Sequence, residues 1–244
     1  MRVHRFFTQR PLQKGGRVEL ETEPSHHIHQ VLRLRVEDEV VLFNDDGNEY
    51  HARLTQVCKK LVQAEVGELL RQETESRLKI HLILAISRGE RMDFAMQKAT
   101  ELGVNRITPI FSDRCVVKLD EKKSAGRLIH WQRIIVNACE QSGRCRIPII
   151  DKPQDYASAL SQEQISTAIM LDHRSQFPLQ QIDPPATSLS LLIGPEGGLT
   201  SKERQLAARK GFIGVRLGPR ILRTETAPLA AIAAAQTLWG DFSS

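Results

Sequence analysis

LLIGPEGGLTSKER, Leu191–Arg204, runs from an apolar stretch through a glycine-rich turn into a polar, helix-like segment. Thr200 and Glu203 have the spacing of a capping box, which places a helix start at Ser201. A strand, a loop of glycines and a capped helix make the unit from which open parallel sheets are built, and ligands meet such sheets at the carboxyl ends of their strands. Two adjacent glycines plus a proline are more than a tight turn needs, so Gly194, Pro195, Glu196, Gly197 and Gly198 are expected to approach a ligand closely. A β-branched residue at Gly197 is expected to fill that slot and restrict φ. The loop has neither GxGxxG nor a Gly-Lys-Ser/Thr sequence, so both common phosphate cradles are excluded. The Glu196 carboxylate would repel a phosphate at short range. The ligand is therefore expected to be neutral or cationic where it meets the loop.

The same construction recurs on either side. LKIHLILAIS (78–87), RITPIFS (106–112), RIPII (146–150), STAIMLD (166–172) and GVRLG (214–218) read as short buried strands. RMDFAMQKATELG (91–103) puts Met92, Met96, Ala99 and Leu102 on one helical face and stops at Gly103. SAGRLIHWQRIIVNACEQSG (124–143) has Leu128, Trp131, Ile135 and Ala138 at helical spacing, and TAPLAAIAAAQTLWG (226–240) opens with Pro228 in its first turn. Strands alternating with helices predict a parallel sheet covered on both faces. The first 70 residues differ. VEDEVVLFNDDGNEYHARLTQV (36–57) alternates about a turn at Asp45-Asp46-Gly47-Asn48, and KKLVQAEVGELL (59–70) adds another strand. The polar segment LLRQETESRL (69–78) separates the two patterns, and the domain boundary is placed between residues 72 and 73.

With 244 residues the chain is long enough to bury a sizeable core without crosslinks. It has no run of about 18 apolar residues, so no membrane span is expected. MRVHRFFTQRPLQKG lacks an apolar signal core, which points to the cytoplasm. Four cysteines without a CxxC pair fit reduced thiols. Residues 1–70 carry 10 Lys/Arg and 11 Asp/Glu and the remainder 24 and 18, a mild basic excess that permits a polyanionic partner. His26, His27 and His29 in SHHIHQVLRLRV lack the spacing of a metal site, so no metal is expected. Arg33 and Arg35 alternate with Leu32, Leu34 and Val36, as on one face of a strand that is either solvated or turned to RNA.

A second loop completes the candidate site. In LGPRILRTETAPLAA (217–231), Leu217, Gly218, Ile221 and Leu222 could wall an apolar slot. Arg223 and Glu225 are charges within that apolar stretch, either a surface salt bridge or a polar pair aimed into the site. S-adenosyl-L-methionine, an adenosine without phosphates and with a cationic sulfonium, suits both loops.

LLIGPEGGLTSKE and LGPRILRTETA together resemble the signature of the SPOUT methyltransferases. More narrowly, with RFF (5–7), HHIHQVLRLRVEDEV, QKATELGV and WQRIIVNACEQSGR, they resemble the bacterial family that methylates N3 of a uridine in small-subunit ribosomal RNA. The resemblance spans nearly the whole chain. It implies an α/β trefoil-knot domain at 73–244 behind a small PUA-like, RNA-binding β-barrel domain at 1–72. It also implies a homodimer and a substrate in 16S ribosomal RNA or the 30S subunit. Carried over residue by residue, it assigns cofactor binding to Leu171, the Gly194–Gly198 run, Leu217, Gly218, Ile221, Leu222, Arg223, Thr226 and Ala227. Arg223 and Glu225 become the candidate catalytic pair, and Arg5, Arg10, Arg33 and Arg35 the candidate RNA contacts. The rival readings are a SPOUT enzyme acting on another atom or RNA, and an RNA-binding protein without catalysis. One departure stands out: the glycine of the family's Arg-Val-Gly-Asp run is Glu37 here.

Overall fold

In the computed structural model, residues 3–72, 75–117, 121–161 and 167–243 are described. Residues 73 and 74, at the expected boundary, and Ser166, at the start of the STAIMLD strand, lie outside them. The chain divides into two compact units, Met1–Glu75 with Cys139–Ile147, and Ser76–Ala138 with Pro148–Ser244.

The first unit is built on β1 (His4–Phe7), β2 (Arg17–Glu19), β3 (Glu39–Phe43), β4 (Asn48–Cys58) and β5 (Leu61–Gln72), with a short α1 (Thr22–His26) that runs on into a π-helical turn, His27–Leu32. They form one mixed sheet in the order β1-β3-β4-β5-β2, in which β1 and β3 are parallel and the other pairs antiparallel. The β3–β4 hairpin turns where the Asp-Asp-Gly-Asn sequence predicts it, with Asp45 at φ 68° and Gly47 at φ 91°. Alternation then decides the inner face: Val40 and Leu42 from β3, Ala52 and Leu54 from β4, and Val62, Ala64 and Val66 from β5 are buried together with Phe6 and Ile28. Each large side chain among them contributes about 1.5–3 kcal/mol of transfer free energy.

The strand expected through Leu32–Val36 does not form. The π-helical turn ends at Leu32, Arg33 caps it in the left-handed conformation at φ 55°, and the Leu34 N–H donates to the Ile28 carbonyl at 3.0 Å. Ile28, Leu32 and Leu34 reach the core from a helical turn and its cap, so the alternating pattern arises without a ladder. Arg33 and Arg35 are nevertheless exposed.

Arg5 is also placed differently from expectation. Its guanidinium is engaged inside the first unit: Nε and Nη2 meet Glu49 Oε2 at 3.0 and 2.8 Å, and its ring-facing carbon lies 4.7 Å above Phe43. Nη1 donates to the carbonyls of Cys139 and Glu140 at 2.7 and 3.1 Å, and Nη2 to that of Arg144 at 3.2 Å. The last carbonyls of a helix have no intrahelical partner, and a cation is favoured there. Arg5 supplies both needs for the helix that ends at Ser142. Its side chain is 14% exposed, so it is not an RNA contact in this conformation.

Glu37 sits at φ 77°, the left-handed region that a glycine would occupy without strain. A non-glycine residue there costs about 1–2 kcal/mol. The opposing terms are smaller: a glycine raises unfolded-chain entropy by about 0.4–1 kcal/mol, and the exposed Glu37–Arg53 pair at 3.4 Å is worth well under 1 kcal/mol. Glu37→Gly is expected to be neutral to stabilising. Denaturant unfolding that shows a loss above about 1 kcal/mol would contradict the strain argument.

Glu140 gives the unit a pH dependence. Burial pushes its carboxyl up to about 7, against the holding effect of the Phe7 N–H, which donates to it at 3.0 Å, and of the Arg5 charge. The folded value lies above the ordinary 4.5, so the folded state binds the proton more tightly. That stabilisation is complete below the ordinary value and is lost as pH rises through about 7. Glu140→Gln should flatten the decline, as read by melting temperature against pH; an unchanged slope would refute the assignment.

The second unit contains β6 (Lys79–Ala85), α2 (Glu90–Glu101), β7 (Val104–Phe111), most of α3 (Glu121–Ser142), β8 (Ile149–Ile150), β9 (Gln154–Asp155), α4 (Tyr156–Leu160), β10 (Thr167–Leu171), β11 (Ser188–Ile193), α5 (Ser201–Arg209), β12 (Ile213–Val215) and α6 (Thr226–Trp239). All its strand pairs are parallel, in the order β12-β10-β11-β6-β7-β8, with β9 beside β7. The strands are apolar on both faces, as a sheet covered by helices requires: Leu82, Ile83, Leu84 and Ala85 are all buried in β6. α2 stops at the Gly103 expected, which has φ 92°. The Gln236 amide of α6 donates to Leu102 O at 3.1 Å and ties the two helices together.

Candidate active site

Three adjacent strands, β12, β10 and β11, release their chains at one edge of the parallel sheet, and the segments that follow enclose a cavity of about 580 Å³. Its walls come from Leu171 onward after β10, from Ile193 to Leu199 after β11, and from Val215 to Ala227 between β12 and α6. That volume lies within the roughly 300–1,000 Å³ usual for small-molecule sites.

The loop after β11 is held from below. The capping box at Thr200 is formed, with Thr200 Oγ1 accepting from the Glu203 N–H and the Glu203 carboxylate accepting from the Thr200 N–H at 2.7 Å. Glu203, buried at 6% exposure, also accepts from the Asp113 N–H at 2.9 Å, and the Tyr156 hydroxyl donates to its carbonyl at 2.9 Å. These bonds fix where α5 begins and hence where the glycines stand. Within the loop the Gly198 N–H donates to the Pro195 carbonyl at 2.8 Å, which closes a tight turn with Gly198 at φ 66°. The conformational demand therefore falls on Gly198, not on the Gly197 singled out from sequence. A Cβ at Gly197 would meet the Arg114 side chain at 3.2 Å, and Arg114 Nη1 donates to the Gly197 carbonyl at 2.8 Å.

Of the cofactor and catalytic residues assigned from the sequence, Leu171, Gly194, Pro195, Glu196, Gly197, Gly198, Leu217, Gly218, Ile221, Leu222, Arg223, Glu225 and Ala227 all line this one cavity. Thr226 does not; it is exposed and its N–H donates to the Arg223 carbonyl at 2.9 Å. Among the described residues, the backbone of Leu217–Leu222 makes no backbone-to-backbone hydrogen bond, so its donors and acceptors are open to a ligand. Ile221 is 79% exposed, an apolar side chain left at the rim.

Arg223 and Glu225 form no ion pair with each other among the described residues, so the surface salt bridge considered from sequence is absent. Arg223 is exposed at the cavity. Glu225 is the N-cap of α6 without a capping bond, and its Oε2 is buried with no hydrogen-bond partner. A buried carboxylate oxygen left unpaired is costly, and a ligand donor at this oxygen would recover that cost. Glu196, whose charge was used to exclude a phosphate, pairs with Arg91 Nη1 at 3.3 Å, so its repulsion is partly cancelled.

Sequence reasoning missed the charged rim. Arg91, Arg174, Arg204, Arg216 and Arg220 line the cavity together with Asp172. Arg204 pairs with Asp172 at 3.4 Å and donates to the Leu199 carbonyl at 2.7 Å, which buttresses the glycine loop. The available signal was the Asp-His-Arg run directly after the STAIML strand, at a carboxyl strand end.

A family model for an RNA methyltransferase domain matches residues 74–236, and one for an RNA methyltransferase PUA domain matches residues 20–67. Ribosomal RNA small subunit methyltransferase E of Buchnera aphidicola is 34% identical over 224 residues, covering 91% of this chain and 88% of the relative. The chain belongs to the ribosomal RNA small subunit methyltransferase E family. Among solved members, that of Neisseria gonorrhoeae bound to S-adenosyl methionine is 42% identical with a TM-score of 0.93, covering 99% of this chain and all of that one. A Legionella pneumophila protein in complex with the same cofactor is 38% identical with a TM-score of 0.96 over 99% and 100% of the two chains. The family likeness covers both units, so it bears on the sheet that carries the cavity as well as on the mixed sheet before it.

The glycine turn yields a measurable expectation. Gly198→Val places a β-branched residue at positive φ, a strain of about 1–3 kcal/mol. S-adenosylmethionine affinity is expected to fall roughly tenfold or more. Calorimetry giving an unchanged Kd for Gly198→Val, with the fold intact, would show that the turn does not shape the site.

Proposed function

We propose that this protein transfers the methyl group of S-adenosyl-L-methionine to N3 of a uridine in 16S ribosomal RNA. The observation that carries the reading is the convergence of the Gly194–Gly198 turn, the open backbone of Leu217–Leu222 and the unpaired Glu225 carboxylate on one cavity at the ends of three parallel strands. The cavity fits the cofactor: its size is sufficient, its apolar wall of Leu171, Leu217 and Leu222 suits an adenine, and its free backbone groups can pair with base and ribose. Bound there, S-adenosylmethionine supplies an electrophilic methyl group on a sulfonium.

The chain's own residues then have three tasks. They hold the uracil in line with the methyl group, a positioning effect worth up to about 7–11 kcal/mol in favourable cases. Arg223 stabilises the negative charge that builds on the uracil oxygens as N3 loses its proton. Glu225, with one oxygen buried and unpartnered, accepts that proton or orients the groups that do, a contribution of roughly 10²–10⁴-fold. Arg174, Arg216 and Arg220, which have no carboxylate partner among the described residues, offer the rim a net attraction for the RNA backbone.

Domains at 1–72 and 73–244, a closed PUA-like barrel, a trefoil knot, a cytoplasmic homodimer and RNA contacts at Arg10, Arg33 and Arg35 belong to the same reading. Full-length likeness to solved family members supports the two architectures. The exposure of Leu238 and Phe242 around the end of α6 supports self-association, and that of the three arginines supports the contacts. No metal enters the scheme, and the described residues hold no group of three or more His, Cys, Asp or Glu fit for one. No helix among them is long and apolar enough to cross a membrane.

The test is methylation of 16S ribosomal RNA and of 30S subunits in vitro, with the product located by mass spectrometry. Methyl on a uridine N3 is expected; methyl on a ribose hydroxyl or no transfer would overturn the reading.

A further inference from the structure

A second, smaller cavity of about 270 Å³ opens in the same unit, where β6 gives way to α2. Ile86 and Met92, both 1% exposed, form its apolar side, and Arg88 and Arg127 are exposed at it. Neither guanidinium has a hydrogen-bonding or ionic side-chain partner among the described residues. Trp131 of α3 completes the wall. It is 1% exposed, and its indole Nε1–H is buried without an acceptor. An unpaired buried donor is uncommon and costs free energy, which a ligand acceptor would recover.

The cavity's place in the fold narrows its occupant. β6 lies beside β11 in the sheet, so this cavity and the larger one occupy neighbouring strand ends at the same edge. Arg91 lines the larger cavity while Arg88, Gly89 and Met92 line the smaller, and the Arg91–Glu196 pair joins the first turn of α2 to the glycine loop. The volume falls below the roughly 300–1,000 Å³ of drug-sized sites, too little for a second cofactor but enough for a pyrimidine base, with its phosphate left outside at the exposed Arg88 and Arg127. A buried N–H donor at an apolar wall and two free guanidiniums match a base carbonyl and a phosphate joined by one sugar. Proteins read single-stranded RNA by extruding unpaired nucleotides in this manner.

We propose that the Ile86–Trp131 cavity binds a pyrimidine nucleotide of the RNA substrate that flanks the methylated uridine, with a base carbonyl accepting from Trp131 Nε1 and the phosphate meeting Arg88 and Arg127. The proposal rests on the RNA methyltransferase reading given above. It makes Trp131 a specificity residue that acts on RNA binding and not on the cofactor.

The full-length protein labelled with nitrogen-15 has two tryptophans, Trp131 and Trp239, and so two indole N–H signals, assigned with Trp131→Phe. Uridine 5′-monophosphate at millimolar concentration is expected to move the Trp131 signal, and inorganic phosphate to leave it in place. Trp131→Phe, which keeps an aromatic side chain but removes the indole N–H, should raise KM for ribosomal RNA roughly 5–10-fold while kcat and cofactor Kd hold. Arg127→Gln, on the surface, should raise the same KM and lessen its salt dependence. An unmoved Trp131 signal, or an equal shift with inorganic phosphate, would overturn the proposal. If Trp131→Phe fails to fold, an unchanged KM in Arg127→Gln overturns it instead. Should the wild-type protein methylate no RNA, the functional reading fails, and the nucleotide titration still decides the cavity.

Discussion

Arg223→Ala is expected to lower kcat and kcat/KM together by roughly 10²–10³-fold, with little change in cofactor affinity. The reason lies in when the contact is made. Uridine N3 is protonated at neutral pH, and the charge on its oxygens grows only as the proton leaves. A donor aimed at those oxygens therefore acts on the transition state more than on either bound ground state. Arg223 is free for this: it lines the cavity, is exposed, and has no carboxylate partner among the described residues. Arg223→Lys should recover only part of the rate, because an ammonium cannot present two donors in a fixed plane. If Arg223 instead held the methionine carboxylate of the cofactor, the alanine variant would show a large rise in cofactor Kd with normal turnover at saturation. That pattern would end the catalytic assignment. A variant with unchanged kinetics and a small stability loss would return Arg223 to the surface.

Arg5→Ala is expected to destabilise the protein by about 3–5 kcal/mol, the range for removing one partner of a buried ion pair. The loss has two parts. Glu49, with 11% side-chain exposure, keeps a buried charge whose remaining ionic partner among the described residues is the half-exposed Arg71, at 3.2 Å. The carbonyls of Cys139, Glu140 and Arg144 lose the guanidinium that satisfies them. Arg5→Lys should remain well below wild type, since three separated carbonyls and a carboxylate need the planar fork. Chemical denaturation followed by circular dichroism measures the difference. A loss under about 1 kcal/mol together with weakened RNA binding would restore Arg5 to the surface role read from the sequence.

Most of the second unit was legible from residue order. Short apolar runs, period-3.6 patterns, the Thr200–Glu203 capping box and Gly103 each carry local chemistry that acts within a few residues, so they pointed to β6, α2, β7, α5 and α6 without further context. The glycine loop and the RILRTETA run, which line one cavity, were legible as neighbours of strand ends for the same reason: both follow buried strands, and their residue types suit close backbone approach. The alternation around Asp45–Asn48 likewise determined the β3–β4 hairpin. Three matters were settled only in three dimensions. The Leu32–Val36 alternation became a π-helical turn and its cap, because Ile28, Leu32 and Leu34 meet a core formed by strands elsewhere in the chain. Arg5 was turned inward because a helix end more than 130 residues away presents its unpaired carbonyls there. The cavity at Trp131 exists because a helix, a strand end and a helix start converge, and no spacing in the sequence encodes a donor left without an acceptor. Local propensity determines which element forms; which charges stay free and which are buried depends on partners that only the folded chain brings into reach.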